Sequence, residues 1–419
     1  MVTASCLAEG GHDVTGLDFE PDVVADLNAG RPPLSEPGLE DLVNAGLASG
    51  RLRFTTDVKA VASADLVWVA YDTPVDDDDV ADVEYVVDRI RRVFPVLRDG
   101  ALVLISSQVP VGTTRRIENL FADEAPGRRV GFGYSPENLR LGKAIAVFTQ
   151  PDRVVAGVRS EADRETVASV LRPFTQRIEW MSVESAEMTK HALNAFLATS
   201  VTFINEIAAL CEQVGADATE VERGLKSEVR IGPKAYLSPG GAFAGGTLAR
   251  DIVALSQLGR QHGVATHLLS SVKTSNDAHR GWAQHRLSQL LGDLAGKTVA
   301  VWGLTYKPGT DTLRRSSAVE LCAWLHERGA TVRAHDPAVT SLPRDLASYL
   351  RLAEGPLEAT VGASALVVAT PWPEYRDLAA AAVLAGMRRR LVLDANRFLG
   401  ETLGRHDGVE YLSVGRATS

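Results

Sequence analysis

An α/β fold, with two Rossmann-like parallel-sheet domains joined by a central all-helical segment, is predicted by three features of this 419-residue sequence. Short β-branched runs alternate with helical patterns at the start of the chain, the pattern of a doubly wound parallel sheet. From about Ser185 to Gln261 the apolar spacing becomes helical and β-branched runs almost vanish. Alternation then resumes near Gly296. The boundaries expected are 1–182 for a first, cofactor-binding domain, 183–290 for the helical segment and 291–419 for a second nucleotide-binding domain.

The elements follow in order. Met1 to Gly10 reads as a helix, Asp13 to Leu17 as a strand, and Pro21 to Asn28 as a helix whose Glu20 and Asp22 suit its positive N-terminus. Leu66 to Ala70 and Leu102 to Ser106 are apolar runs of strand length, each followed by turn residues. Glu187 to Val214 and Ala218 to Lys226 carry apolar residues at helical spacing, and a glycine-rich loop from Ser238 to Gly246 precedes another long helix. In the last third, Lys297 to Trp302 and Thr331 to Ala334 are strands flanking a helix from Ala318 to Arg328. Asp336 follows the second of these strands, where a ribose-contacting acid sits in a Rossmann half.

Composition excludes several classes. Apolar residues make up 45% and charged residues 23%, the balance of a globular α/β protein. The formal charge of -9, with no long basic run, argues against nucleic acid as a partner. Three widely spaced cysteines form no disulfide or zinc pattern and fit a reducing cytoplasm. His12, His191 and His279 lack metal-ligand spacing, so no metal is expected. The longest apolar runs have strand length, so no membrane span or signal peptide is expected. The acidic run Asp76 to Asp79 reads as a solvated turn.

A dinucleotide site needs a strand, a G-x-G-x-x-G turn and a helix N-terminus whose amides face the pyrophosphate. Here the residues begin inside that first helix, and Asp18 closes the strand that carries the ribose acid. Two readings stay open: the fingerprint lies upstream of Met1, or the polypeptide lacks the loop and binds NAD poorly.

Residues 11–43 (GHDVTGLDFEPDVVADLNAGRPPLSEPGLEDLV) resemble nucleotide-sugar 6-dehydrogenases, the UDP-glucose/GDP-mannose dehydrogenase family, just after their fingerprint. The likeness continues through VPVGT (Val109 to Thr113), SPENLR (Ser135 to Arg140), AEMTKHALNAFLA (Ala186 to Ala198) and FINE (Phe203 to Glu206). It runs on through RIG (Arg230 to Gly232), FAGGTLARD (Phe243 to Asp251) and GLTYKPGTDTLRRSS (Gly303 to Ser317), in family order. The resemblance implies NAD as cofactor, a nucleotide sugar as substrate and a homodimer built on the central helices. It also implies oxidation of C6 twice, from alcohol through aldehyde to acid.

Glu187, Lys190 and Asn194 share one face of a predicted helix, either a solvated polar face or part of an active site. An ammonium and an amide there could stabilise charge developing on an alcohol oxygen, and the resemblance places Lys190 and Asn194 on catalytic positions. Asp251 corresponds to the family acid that orients a base water, and Glu137 to one family glutamate. The catalytic cysteine position holds Thr247, a far weaker nucleophile than a thiolate. Leu141 replaces the second glutamate and Gln108 a threonine beside the reacting centre. By the same resemblance Thr73 and Pro74 lie near the nicotinamide ribose, with Asp18 and Gln108 also at the cofactor. Arg230, Tyr236, Gly240, Phe243, Gly245, Lys307 and Arg314 resemble substrate contacts, the cations suiting phosphate; as surface or capping groups they would have a plainer role.

The function expected is NAD-dependent oxidation of a CH–OH group of a nucleotide sugar, most naturally a UDP-sugar, without the ordinary double oxidation. A redox-neutral epimerase and a catalytically dead nucleotide-sugar-binding protein are the alternatives.

Overall fold

The computed structural model describes residues 1–33, 36–76, 81–140, 142–244 and 246–416. The chain divides into two compact units, Met1–Ala192 and Leu193–Ser419. A 32-residue helix, Val183–Val214, runs through the division.

In the first unit the strands Leu66–Val69, Leu102–Ile105, Gly131–Tyr134, Val154–Gly157 and Ile178–Met181 form a five-stranded sheet in that order. All neighbours are parallel except Gly131–Tyr134 and Val154–Gly157, which meet antiparallel at Tyr134 and Gly157. Helices cover it, Val83–Arg91 and Thr113–Glu124 among them, and their Val86, Ile90, Ile117 and Phe121 fill the core against Val103 and Ile105. Local sequence sets the helix starts: Asp82 accepts from the Tyr85 amide, and Ser160 and Asp163 form a reciprocal capping box. A separate parallel pair joins Val14–Leu17 to Leu52–Thr55. Leu102–Ile105 is buried throughout, whereas Val14–Leu17 and most of Leu66–Val69 are half-buried, as suits strands each lacking a neighbour on one side.

In the second unit the order Leu350–Leu352, Thr331–His335, Thr298–Trp302, Ala365–Val368, Leu391–Leu393, Glu410–Leu412 makes a fully parallel six-stranded sheet. Numbered along this half, that is the 3-2-1-4-5-6 order of a doubly wound dinucleotide fold. Gly303, the first residue past the central strand, has φ +86°, and a Cβ there would lie 2.6 Å from main-chain atoms of Thr370. Only glycine closes that turn. Helices Ala218–Ser227, Thr247–Gln261, His267–Arg280 and Trp282–Leu291 accompany the second half of the long helix.

By length and composition Val183–Val214 is long and apolar enough to cross a membrane, the one such helix among the described residues. Reading only unbroken apolar runs misses it. Its Glu187, His191, Asn194 and Asn205 are buried and hydrogen-bonded to protein groups, as in a core helix.

Candidate active site

Parallel sheets of this kind bind ligands at the carboxyl ends of their strands, and the first unit gathers its functional candidates there. Asp18 directly follows Val14–Leu17, its carboxylate accepting the nearby Glu20 amide at 3.0 Å. Burial raises the neighbouring Tyr71 phenol to about 12, the Asp18 charge adding to the effect. Thr73 and Ser107 follow the adjacent strands Leu66–Val69 and Leu102–Ile105; both are buried, and neither hydroxyl has a partner among the described residues. A buried hydroxyl without a partner is costly unless a ligand or water supplies one. Two such groups at adjacent strand ends suit the hydroxyl-rich half of a dinucleotide. Pro74 accepts the Asp82 amide at 2.8 Å and so closes the Thr73 turn. Gln108 lies half-buried one residue beyond Ser107.

Lys190 reaches the same region, its Nζ donating to the Glu137 carbonyl at 2.6 Å. The Glu137 carboxyl is raised above its ordinary value by lost solvation, with Asp72 adding to the rise and the Lys190 ammonium opposing it. Glu137 as a whole residue is solvent-exposed.

Glu187 and His191 fix the neighbouring loop. Glu187 accepts from the amides of Gly112 (2.6 Å) and Thr114 (2.9 Å) and from the Thr114 hydroxyl (2.7 Å), capping Thr113–Glu124 from another element. His191 Nε2 lies 2.9 Å from the Val109 carbonyl. Glu187 is therefore a buried helix cap and not a solvated member of a polar face.

In the second unit Asn194 donates to the fully buried Asp251 carboxylate. Asp251 lies one turn into Thr247–Gln261, whose first residue is Thr247. The exposed Thr247 hydroxyl has no hydrogen-bond partner among the described residues, so no base there raises its nucleophilicity. Cys6, Cys211 and Cys322 are all buried, and burial raises Cys6 to about 11 and Cys322 to about 12. None of the three is placed to replace a thiolate nucleophile.

The loop before Thr247 is held by side-chain amides. Gly240, Gly241 and Phe243 donate their amides to Asn205 (3.0 Å), Asn396 (2.9 Å) and Asn276 (3.0 Å). The Phe243 ring packs on the helix cluster of Ala195, Ala198, Ile252 and Val272. Gly240 thus presents a fixed main chain and Phe243 a partly buried side chain. Gly245 lies outside the described residues, as do Leu141 and Asp77 to Asp79 of the acidic run.

The remaining cations are dispersed. Lys307 and Arg314 are exposed on the loop after Thr298–Trp302. Arg230 is solvent-facing and paired with Glu228 at 2.9 Å, with Tyr236 also exposed. Asp336 departs from the ribose-acid expectation. Its carboxylate accepts from the amides of Leu304 (2.7 Å), Thr305 (2.9 Å) and Ala338 (2.9 Å), the Thr305 hydroxyl (2.9 Å) and Trp372 Nε1 (3.0 Å). It is consumed in shaping the loop that carries Lys307 and Arg314.

Each unit thus carries a Rossmann-type parallel sheet, the fold that takes a nucleotide at the carboxyl ends of its strands. The chain belongs to the UDP-glucose/GDP-mannose dehydrogenase family. Residues 1–175 match its NAD binding domain, 184–278 its central domain and 300–401 its UDP binding domain. The UDP-glucose 6-dehydrogenase of Rhizobium meliloti (strain 1021) is 37% identical over 99% of this chain and 97% of its own length. The Bacillus subtilis UDP-glucose 6-dehydrogenase YwqF is 35% identical over 99% and 95%. The UDP-glucose dehydrogenase structure from Pyrobaculum islandicum superposes with a TM-score of 0.89 at 33% identity, covering 99% of this chain and 95% of that one. A UDP-D-ManNAc dehydrogenase from Pyrococcus horikoshii gives 0.86 at 25%, covering 100% and 97%.

Sequence reasoning overlooked Ser107, Asn205, Asn276 and Asn396 and gave His279 no role. A signal existed for Asn205 and Asn276: asparagines inside strongly helical segments compete for backbone hydrogen bonds and are poor helix formers unless a partner engages the side chain.

Proposed function

We propose that this chain is an NAD-dependent oxidoreductase acting on a CH–OH group of a UDP-sugar, and that it does not run the two-step oxidation to an acid. The single observation carrying the second clause is Thr247 at the first position of its helix, exposed and without a base, while every cysteine is buried elsewhere. The cofactor supplies a hydride acceptor when bound. Lys190 and Asn194 stabilise the oxygen as charge develops, and Asp251 orients a water that takes the hydroxyl proton. Asp18, Thr73, Pro74 and Gln108 are assigned to the cofactor side. Arg230, Tyr236, Gly240, Phe243, Gly245, Lys307 and Arg314 are assigned to the nucleotide sugar, with Gly240 and Phe243 acting by shaping the loop. An aldehyde formed at C6 meets no thiolate, so the covalent adduct needed for a second hydride transfer does not form.

A second reading is favoured by Glu137. A C6 carbonyl acidifies the C5 proton, and a carboxyl with a raised proton affinity beside Lys190 is suited to move it, giving a redox-neutral epimerase. A third, a dead nucleotide-sugar-binding protein, shares the binding residues alone.

The test is to offer UDP-, GDP- and TDP-sugars with NAD and to measure NADH released per sugar together with product mass. One NADH and an aldehyde supports the leading reading, and none with an isomerised sugar supports the epimerase. Two NADH and a uronic acid overturn both, and binding without turnover leaves the dead module.

The same reading includes a cytoplasmic homodimer. Unpaired cysteines suit a reducing compartment. Phe196, Phe203 and Leu210 recur every seven residues on the long helix and are 69%, 46% and 62% exposed, with Val214 at 76% beyond them. Such a stripe calls for a partner helix. Light scattering should give twice the chain mass, and Phe196→Asp with Leu210→Asp should give the monomer.

A further inference from the structure

The glycine loop Ser238–Ala244 has no secondary structure of its own, yet the main-chain groups of Gly240, Gly241 and Phe243 are bonded to four side chains. Asn205 takes the Gly240 amide at 3.0 Å and offers its own amide to the Gly241 carbonyl at 3.4 Å. Asn276 brackets Phe243, accepting its N–H at 3.0 Å and donating to its C=O at 2.8 Å. His279 Nε2 lies 2.7 Å from the Gly240 carbonyl and so carries the proton. Asn396, in the turn that leaves the strand Leu391–Leu393, accepts the Gly241 amide at 2.9 Å. A Cβ at Gly240 would lie 2.4 Å from Asn396 Oδ1, so the glycine exists to let that side chain approach.

The Asn396 turn is itself over-determined. Arg397 sits in the left-handed region at φ 54°, uncommon for a non-glycine residue. Its guanidinium is bound to Asp217 at 2.8 Å and to the Thr219 hydroxyl. The buried Asp394 closes the turn by accepting the Leu399 amide at 2.7 Å. Strain of this kind persists only where surrounding contacts enforce it.

We propose that Asn205, Asn276 and Asn396 are positioning residues that hold the glycine loop in its ligand-binding shape before any ligand arrives. The inference rests on the reading of Thr247 and the preceding loop as part of the nucleotide-sugar site. The amides of Gly240, Gly241 and Phe243 are already committed, so they do not bind phosphate; that task falls to side-chain cations. Asn396 is the link through which the sheet carrying Lys307 and Arg314 sets the register of the loop that ends at Thr247. Preorganisation of this sort holds the loop in reacting geometry and appears in turnover rather than in UDP affinity or global stability.

The test uses the full chain and three variants: Asn396→Leu, which removes the acceptor at an exposed position, Asn396→Asp, which keeps it, and Asn276→Ala. Amide exchange of residues 238–246, the dissociation constant for UDP and kcat with the best nucleotide sugar are compared. For Asn396→Leu, loop exchange should quicken about five- to tenfold, the effect of one lost hydrogen bond. The melting temperature should stay close to that of the wild type and the UDP dissociation constant within about twofold, while kcat falls about tenfold and Asn396→Asp recovers both loop exchange and kcat. Asn276→Ala should quicken exchange further; should it not fold, the Asn396 pair still decides. Unchanged loop exchange in Asn396→Leu overturns the proposal, as does a kcat loss that Asn396→Asp fails to recover. If the wild-type chain binds UDP and turns over no sugar, the oxidoreductase reading fails while loop exchange still judges the clamp.

Discussion

The Asn194 amide donates to the carboxylate of Asp251, a side chain with no solvent exposure, and so joins the long central helix to the helix that begins at Thr247. A buried carboxylate that loses such a donor loses part of what offsets its desolvation. Asn194→Ala should therefore destabilise the chain by about 1–3 kcal/mol. A double-mutant cycle with Asp251→Ala should return a coupling of about 0.5–3 kcal/mol in denaturant melts. Additive losses would mean that the two side chains do not act as a pair. The same Asn194→Ala change should lower kcat by about 10²-fold, as expected for removal of one donor to a developing oxyanion.

Thr247→Cys should restore the second oxidation in part. The new thiol would sit at the first position of a 15-residue helix, where the helix dipole favours the thiolate. The expected outcome is uronic acid in the product mass spectrum and NADH per sugar rising towards two. If the variant makes no acid, Gln108 and Leu141 are the next determinants to exchange, and the weight placed on Thr247 alone is wrong.

Stability should carry an acid limb from Glu184. Hydrogen bonding to Arg159, joined by Arg115, holds its carboxyl at about 2, below the ordinary 4.5. A folded-state value that is depressed contributes stability present above the ordinary value and lost as pH falls through the folded one. The gap in urea midpoint between wild type and Glu184→Gln should thus be widest at neutral pH and close between about pH 4.5 and pH 2. Solvent around the pair keeps the gap small. A gap that widened on acidification would contradict the sign.

Glu187→Ala should cost about 2–3 kcal/mol, because it strips the Gly112 and Thr114 amides of their acceptor at the start of Thr113–Glu124. Glu187→Gln, which keeps one acceptor oxygen, should cost less. Equal losses in thermal or urea melts would show that the cap contributes through packing alone.

Strands and helices were legible because their signals are local. The runs from Leu66 and Leu102 and the second alternation from Lys297 correspond to elements within a residue or two, while the long helix read from Glu187 begins earlier, at Val183. The antiparallel contact at Tyr134 and Gly157 was not legible, since strand direction depends on how the intervening chain crosses the sheet. Candidate side chains such as Lys190, Asn194 and Asp251 were found through motif order, but their partners were not. Nothing in spacing says that Asp336 is filled by Leu304, Thr305 and Trp372, or that Glu187 reaches 73 residues back to Thr114. Such contacts depend on tertiary packing, which periodicity does not encode.

The burial of Cys6, Cys211 and Cys322 makes the native surface a blank for sulfur chemistry. A single cysteine introduced anywhere on the outside would take a maleimide dye at one address only. Native protein needs no prior thiol deletions before fluorescence or spin-label work, and a label at position 247 would report ligand arrival directly against a silent background.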